Sequence, residues 1–515
     1  MNTNILHISN GACVKLAQIP VLGYDDFRAT TLELMGDKAR HCASYFAYPC
    51  GAGLRLMMCI ADDSAHDILV YACEVEKGAT LASAAADCLA LERFEREIHE
   101  NWGLEFEGHP WYKPVRDFMP AKYKFFEMEG EELHEVGVGP VHAGVIEPGH
   151  FRFICNGEDV LHLEIQLGWQ HRGTERLMLE KKRLIERVLL AEGIAGDTAI
   201  SHSTAFAGTW ESLCGFKPGK EVLWARTLAA ELERMANHTG DLGAICGDVA
   251  YQLGAAVYGR LRTPIVNFSQ RWCGNRLGKG NVRPAYAPYA FTQELKQQLL
   301  SDLAAYERDF LEMCDKIQHF PSVLSRLDRT GVVSTEQAES IGAVGMAAKC
   351  AGVCRDTRAS HPYGLYASLE VQPVVKTTGD VLARTELRID EVKQSLSIVR
   401  ALLEDMPEFG ALAGSGASGL ASGASSGSGL FAGIQLPTAG SPAADSFAIS
   451  LTEGWRGEIC HCAVTDANGE LAAYKIKDPS FHNWMALALA VRGNEISDFP
   501  ICNKSFNLSY CGHDL

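Results

Sequence analysis

The chain has 515 residues, too many for one ordinary hydrophobic core, so at least two domains are expected, and its 47% hydrophobic content is enough to bury each of them. With 47 Lys and Arg against 64 Asp and Glu, the net charge of -17 argues against a nucleic-acid partner and against adsorption to an anionic membrane through bulk charge. Other protein subunits are therefore the expected partners.

Two features of the sequence bear on its compartment. The first 20 residues lack the basic stretch followed by an apolar stretch that marks a secretory signal, and no segment approaches the ~20 apolar residues of a membrane span. The 17 cysteines are scattered, with no Cys-x-x-Cys pair, which is typical of small buried side chains in a reducing compartment. We expect a cytoplasmic protein without a disulfide framework.

The first ~125 residues have the pattern of a small α+β domain. Two β-rich runs, 54–60 and 68–75, flank a polar connector of hairpin type. The segment 80–100 is rich in Ala, Leu and Glu and places apolar residues at helix spacing, so it predicts a helix.

The middle of the chain predicts long helices. Residues 220–250, 295–317 and 382–403 repeat apolar side chains with the helical period, and Ser334 with Gln337 forms a capping-box pattern at the start of another helix. Helices this long and this apolar pack on one another, so we expect a helix bundle as the core.

A segment over 408–430 consists almost entirely of Gly, Ala and Ser. It cannot bury enough apolar surface to offset the entropy of ordering it, so we expect a flexible surface loop. Beyond it, two runs over 457–464 and 471–476 lie on either side of Asp466-Ala-Asn-Gly469 and predict a β-hairpin. The loop therefore lies inside the second domain.

Short motifs follow one another along the chain in a fixed order. In the first part they are Phe94-Glu-Arg-Glu-Ile98, Asn101-Trp-Gly-Leu104 and Gly108-His-Pro110. In the second part they are Gly139-Pro-Val-His142, Glu147-Pro-Gly-His150, His171-Arg-Gly173, His202-Ser-Thr-Ala-Phe206, Glu231-Leu-Glu-Arg-Met-Ala-Asn-His238, Gly379-Asp380, Arg388-Ile-Asp390, Arg456-Gly-Glu458 and Ser505-Phe-Asn507. From residue 92 onward the chain resembles the 30 kDa-type subunit of respiratory complex I fused to its 49 kDa-type subunit, a pairing also found in group 4 membrane-bound hydrogenases and formate hydrogenlyase.

The resemblance implies an α+β protein of two domains. Residues 1–125 would form a small α+β domain of the 30 kDa type. Residues 126–515 would form a large, mainly α-helical domain like the hydrogenase large subunit, with a small C-terminal β-hairpin.

The metal ligands of the hydrogenases are missing from the matching positions. Setting His202-Ser-Thr against the hydrogenase pattern puts two cysteine slots on Ala195 and Thr198, and the slot three residues before Cys511 is Leu508. A nickel-iron centre needs four thiolates, so we expect no metal in this chain.

Several other pocket residues match the family. Glu147 stands where hydrogenases carry a proton-transferring glutamate, and Arg456 matches the arginine beside their metal site. His142 matches the histidine that complex I presents to quinone, and the tyrosine paired with it there is replaced near Asp197 and Thr198. The resemblance thus implies Glu147, His142, Asp197 and Arg456 as a proton or quinone pocket, and His142, Thr198 and His202 as cofactor contacts.

Structural roles are the alternative for the same residues. His142 and His202 would be interior histidines, and Glu147 and Arg456 a buried ion pair. The triplet Cys460-His461-Cys462 is a poor metal site, because adjacent strand residues point to opposite faces.

The function implied by the resemblance is that of a metal-free large subunit of a membrane-associated oxidoreductase. It would bind no cofactor directly and would form a proton-coupling cavity beside an Fe-S small subunit of the complex I 20 kDa type. Membrane antiporter-like subunits would hold it on the inner face of the cell membrane. Two alternatives stay open: a quinone-reducing subunit of NADH dehydrogenase type, and a non-catalytic structural adaptor.

Overall fold

The computed structural model describes residues 5–116, 123–142, 146–409 and 440–515. Within them the fold is α+β, as predicted, with an N-terminal sheet, a bundle of long helices and a C-terminal antiparallel sheet. The predicted Gly/Ala/Ser loop over 408–430 lies outside the described residues from position 410 onward.

An antiparallel sheet dominates the first hundred residues. Its spatial order is β1-β6-β5-β4, and β3 pairs in parallel with β6. The two predicted strands are confirmed as β5 and β6. The elements of this region are β1 (Leu6–Ile8), β2 (Cys13–Lys15), β3 (Val21–Leu22), α1 (Tyr24–Met35), β4 (Arg40–Cys50), β5 (Gly53–Asp62), β6 (Asp67–Val75), β7 (Thr80–Ala82), α2 (Glu92–Trp102) and β8 (Glu105–Glu107).

The helix predicted over 80–100 is wrong in its first half. Strand β7 pairs in parallel with β8, and α2 begins only at Glu92. The buried carboxylate of Glu95 accepts hydrogen bonds from the Ser83 hydroxyl and from the Ala84 N–H at 2.8 Å. These side-chain bonds hold the backbone before the helix in a non-helical path, which the Ala-rich composition does not reveal.

A small sheet and the helix bundle follow. The three predicted long helices are confirmed as α6, α8 and α13, and the Ser334–Gln337 capping box opens α10. The elements are β9 (Leu133–Val138), β10 (His150–Asn156), β11 (Asp159–Gln166), α3 (Thr174–Glu180), α4 (Leu184–Glu192), α5 (Ala199–Leu213), α6 (Lys220–Asp248), α7 (Gln252–Cys273), α8 (Gln293–His319), α9 (Pro321–Leu327), α10 (Thr335–Ser340), α11 (Gly345–Cys350), α12 (Thr357–Ser360) and α13 (Val381–Glu404).

Helix α6 is the centre of the bundle. It packs against α7, α13 and the C-terminal helix over Phe499–Phe506, and its apolar stripe, including Leu228, Leu232 and Met235, is completely buried. In this part of the described chain, amphipathic helices shield one another from water, as the helical period predicted.

The predicted C-terminal hairpin is confirmed as part of a larger sheet. Strands β12 (Ser446–Gly454), β13 (Gly457–Thr465) and β14 (Leu471–Lys477) are followed by α14 (Ser480–Ala490), α15 (Phe499–Phe506) and α16 (Tyr510–Asp514). The sheet order is β14-β13-β12-β2, so a strand from the N-terminal region completes it. Apolar side chains of β5 and β6 form one core with those of β12 and β13. The division at residues 125 and 126 stays a prediction.

No helix among the described residues is long and apolar enough to cross a membrane. The 17 cysteines are free, and most of them are buried.

Candidate functional site

A buried ion pair occupies the turn between β12 and β13. The Arg456 guanidinium donates to both carboxylate oxygens of Asp197, at 2.7 and 2.8 Å, and its Nε donates to the Asn507 carbonyl. The same guanidinium stacks 3.9 Å from the centre of the Trp455 ring. Arg456 is 4% exposed and the Asp197 side chain is 35% exposed, so the pair is shielded from water on the arginine side.

The pair keeps Asp197 ionised. Burial raises the pKa of this carboxyl, but the charge and hydrogen bonds of Arg456 lower it by more. The pKa of Asp197 therefore lies below its ordinary value. The sequence predicted both residues for the site, and the structure brings them together. The alternative of a Glu147–Arg456 ion pair is wrong, because Asp197 is the carboxylate that Arg456 binds.

Thr198 belongs to the same arrangement. Its hydroxyl donates to Asp197 Oδ1 at 3.0 Å and lies 3.2 Å from an Arg456 nitrogen that donates to it. The residue directly precedes α5 and is 1% exposed. Its hydroxyl is therefore already used in stabilising the ion pair, which limits what remains for the predicted cofactor contact.

Two glycines position the turn that carries Arg456. A Cβ built on Gly457 would lie 2.6 Å from the Cα of Gly345, and one on Gly345 would lie 2.0 Å from the Cα of Gly457. Both residues have positive φ, of 138° and 57°. Only glycine allows the two backbones to approach this closely in these conformations. The start of α11 thus fixes the turn.

We expect Gly457→Ala to destabilise the protein by about 1–3 kcal/mol, because the added methyl group pushes against backbone in a region where L residues are strained. The Arg456–Asp197 pair should open with the turn. The control is Gly196→Ala, next to Asp197, where a Cβ meets nothing within 4 Å. Thermal melts of the two variants measure the difference, and equal melting temperatures would contradict the expectation.

Glu147 lies beside the one cysteine that matches a hydrogenase ligand. Its carboxylate accepts a long hydrogen bond from the Cys511 N–H, at 3.4 Å, and its side chain is half-buried. Burial, together with the nearby Glu147 charge, raises the pKa of the Cys511 thiol to about 11. The thiol is therefore protonated at neutral pH.

His142 contacts its own loop. Its Nε2 lies 2.8 Å from the Gly149 carbonyl, and its ring packs 5.9 Å from that of Phe151. Residues 143–145 of this loop lie outside the described part of the chain. The described contacts of His142 close the loop, and they include neither Asp197 nor Thr198.

His202 starts a chain of buried hydrogen bonds that the sequence did not predict. Its Nε2 lies 3.0 Å from Asp478 Oδ2, and its Nδ1 lies 3.2 Å from Nε2 of His461. The Nδ1 of His461 lies 2.8 Å from the Tyr474 hydroxyl. We call these four residues the histidine chain: Asp478, His202, His461 and Tyr474. Both ring nitrogens of His202 are engaged within the protein, so neither is free for the predicted cofactor contact.

The strand positions of the Cys-His-Cys triplet agree with the prediction that its members point to opposite faces. His461 faces α5, while Cys460 and Cys462 face the N-terminal sheet with their sulfur atoms 3.6 Å apart. Burial lowers the pKa of His461 well below its ordinary value, and the nearby His202 lowers it further. His461 is therefore neutral.

A second group of charged residues lies behind the Arg456 turn. We call it the buried charge cluster: Lys349, Arg234, Arg358, Glu231, Asp356, Glu391 and Glu453. Each member is at most 1% exposed. Arg234 also donates to the carbonyls of Glu453 and Gly454, at 2.7 and 3.2 Å, and so joins the cluster to the turn.

The cluster contains one more acid than base. Its four carboxyl groups face the side chains of Lys349, Arg234 and Arg358. Burial and the neighbouring Asp356 carboxylate raise the pKa of Glu453 to about 7. Near neutral pH Glu453 therefore carries a proton for part of the time, and the charges of the cluster balance when it does.

Comparison of the sequence with known proteins identifies the family of this chain. Residues 248–514, just over half of the chain, match the family described as the respiratory-chain NADH dehydrogenase 49 Kd subunit. The chain belongs to this family. The predicted resemblance is confirmed, and the matched region includes Arg456, strands β12 to β14 and Cys511.

Relatives of this family member include both hydrogenase and NADH dehydrogenase subunits. Formate hydrogenlyase subunit 5 of Escherichia coli is 26% identical over 77% of this chain and 66% of its own length. The alpha subunit of the membrane-bound hydrogenase of Pyrococcus furiosus is 26% identical over 72% of this chain and 85% of its own. The C/D-type subunit of NADH-quinone oxidoreductase from Phocaeicola vulgatus is 27% identical over 61% of this chain and 68% of its own length. The chain is thus related to large subunits of multisubunit oxidoreductases.

The residues of this 49 Kd family member do not fit a nickel-iron centre. Of the four thiolate positions, Ala195 and Leu508 carry aliphatic side chains, and Thr198 binds the ion pair. Among these four positions, Cys511 alone offers sulfur, and one thiolate cannot hold a nickel-iron centre. Among the described residues, no group of three or more His, Cys, Asp or Glu side chains is arranged to hold a metal ion.

Proposed function

We propose that this chain is the large subunit of a membrane-associated oxidoreductase and forms a proton-coupling cavity beside an Fe-S small subunit, without a metal centre of its own. One observation carries the proposal. Of the four positions that match the hydrogenase metal ligands, Ala195 and Leu508 carry aliphatic side chains and Thr198 contacts the Arg456–Asp197 ion pair, while the proton-transferring glutamate of the family is present as Glu147.

Glu147 has the properties that proton transfer requires. It is half-buried, and among the described residues no Lys, Arg or His forms a salt bridge with it. The hydrogen bond that it accepts from the Cys511 N–H is long, at 3.4 Å, so this contact fixes the carboxylate only weakly. Arg456 and Asp197 carry fixed charges and supply the electrostatic field, while Glu147 takes up and releases protons.

The remaining parts of the reaction belong to partner subunits. Electrons would arrive from Fe-S clusters in the small subunit, and antiporter-like membrane subunits would conduct the ion and hold this chain at the inner face of the membrane. Quinone reduction by this chain would require His142 to leave the Gly149 carbonyl, and a structural adaptor would not need Glu147 at all.

We expect Glu147→Gln to leave assembly intact and to lower redox-driven ion translocation by the complex at least roughly tenfold, because the amide preserves size but cannot titrate. The measurement compares assembled complexes in sealed vesicles. Glu158→Gln is the control, because Glu158 is exposed in the turn between β10 and β11.

Three outcomes would overturn the proposal or its parts. Translocation at the unaltered rate in Glu147→Gln would favour the adaptor. A rate that depends on added quinone and on His142 would favour the quinone-reducing alternative. Elemental analysis that finds about one nickel per chain would refute the absence of a metal centre.

A further inference from the structure

The histidine chain is directional. The pKa of Asp478 lies below its ordinary value, because its hydrogen bond with His202 and the charges around it outweigh its burial, so its carboxylate only accepts hydrogen bonds. In the arrangement in which each ring carries one proton, His202 donates from Nε2 and accepts at Nδ1. His461 donates to that nitrogen and accepts from the Tyr474 hydroxyl. Each donor therefore meets one acceptor, in one direction, from the tyrosine to the carboxylate.

The outer end of the histidine chain lies at a cavity. Tyr474 is 5% exposed and lines a surface cavity of about 580 Å³. The cavity wall also carries polar side chains: Glu97, His171, Arg172, Glu175 and Lys475. A polar space of this size holds water, so water can lie next to Tyr474.

The inner end lies under helix α16, beside the candidate site. A Cβ on Gly512 would come 2.6 Å from Asp478 Oδ2, so this carboxylate touches the backbone next to Cys511. The Ser480 N–H donates to Asp478 Oδ1 at 2.8 Å. The positive charge of Arg456 also acts on this carboxylate. The histidine chain thus connects the cavity with the base of the site.

We propose that the histidine chain conducts protons between the Tyr474 cavity and Asp478, an inference that rests on the proposed function for its purpose but not for its geometry. In one passage a water proton binds the Tyr474 oxygen while the tyrosine proton moves to His461 Nδ1. The His461 Nε2 proton moves to His202 Nδ1, and the His202 Nε2 proton moves to Asp478.

Every proton in this transfer is accounted for. Each of the three side chains between water and carboxylate gains one proton and loses one, so each ends with the number of protons it began with, and the water proton is in effect delivered to Asp478. No oxidant, reductant or further reactant is needed. Because burial disfavours a charged His461, this environment favours concerted transfer, in which His461 takes up and gives up a proton together.

The test replaces the hydroxyl at the outer end. Tyr474→Phe keeps the ring, which packs 6.1 Å from that of Phe206, and removes the hydroxyl that bonds His461. The control is Tyr306→Phe, a completely buried tyrosine whose hydroxyl bonds Thr239 at 2.6 Å, away from the histidine chain. Both variants lose one buried hydroxyl, so their effects on packing are matched.

The readout on the purified chain is solvent exchange of the ring N–H protons of His202 and His461, followed by NMR with ¹⁵N-labelled histidine. We expect exchange at least roughly tenfold slower in Tyr474→Phe and unchanged in Tyr306→Phe, the scale for loss of a positioned proton-transfer group. In the assembled complex, ion translocation should fall in the first variant and not in the second.

The outcomes separate this inference from the proposed function. Equal exchange rates in the two variants overturn the proton path, even if the complex moves ions. Slower exchange in Tyr474→Phe with no ion movement by the unaltered complex supports the path and overturns the proposed function. If Tyr474→Phe does not fold, the proton path is tested on the unaltered protein by NMR. Absence of ¹⁵N–¹⁵N coupling across the His202–His461 hydrogen bond overturns the path, and its presence with protons on both Nε2 atoms supports it.

Discussion

Replacing Lys349 with Met is expected to lower the free energy of unfolding by about 3–5 kcal/mol, the cost of removing one partner from a buried ion pair. The Lys349 ammonium lies 2.5 Å from Glu391, 3.2 Å from Asp356 and 3.4 Å from Glu453, and its side chain is 1% exposed. Methionine fills the same volume but leaves three carboxyl groups with less positive charge, and water cannot reach them to compensate.

Urea unfolding of the purified chain measures this effect. The matched control is Lys220→Met, which breaks the salt bridge between Lys220 and Asp405 at the surface, where the lysine side chain is 53% exposed. Exposed pairs contribute about 0–1 kcal/mol, so the control should shift the midpoint little. A Lys349 variant as stable as the Lys220 variant would mean that the cluster rearranges or protonates without cost.

Removing a negative charge from the same cluster, by Glu453→Gln, should stabilise the protein at high pH. Because the pKa of Glu453 rises from its ordinary 4.5 to about 7 in the folded protein, folding takes up a proton between these values. Stability from this group therefore falls as the pH rises from about 4.5 to 7, by about 3 kcal/mol in total. Glu453→Gln resembles the protonated acid at every pH, so its stability relative to the unaltered protein should increase by up to that amount.

Urea unfolding at pH 5 and pH 8 checks the expectation. The quantity of interest is the difference between variant and unaltered protein, because other groups titrate in both. Glu404→Gln, at an exposed position on α13, serves as the control and should show the same small difference at both pH values. Parallel pH profiles for the Glu453 variant would show that Glu453 is ionised in the folded protein throughout this range.

Local patterns predicted the helices and the C-terminal hairpin, because periodicity and turn residues act within a few positions of one another. Helix α6 and the β13–β14 hairpin are examples. The helix predicted over 80–100 was wrong in part, because the hydrogen bonds of Glu95 to the preceding backbone depend on burial of that carboxylate. The pairing of β2 with β12 joins residues more than 400 positions apart, and no local pattern signals it.

The sequence likewise predicted some residues of the site and missed others. Arg456 and Asp197 were predicted as site residues by matching the family, and the structure brings them into contact. The matching could not give partners, so Glu147 was paired with the wrong residue. Asp478 and Tyr474 belong to no recognised motif and reach His202 only through the stacking of α5 on the C-terminal sheet. A histidine between two cysteines in the middle of a strand, His461, was the one signal available.

The pairing of β2 with β12 has a consequence for how the protein can be divided. Strand β2 covers the outer edge of β12 along Ser446–Ala448, and an uncovered edge of this kind invites pairing with other chains. A fragment that begins after residue 125 would expose that edge and should self-associate when expressed alone. Supplying the N-terminal fragment in trans should restore solubility by strand complementation. Each fragment would then need the other in order to stay soluble, so the two are not independent modules.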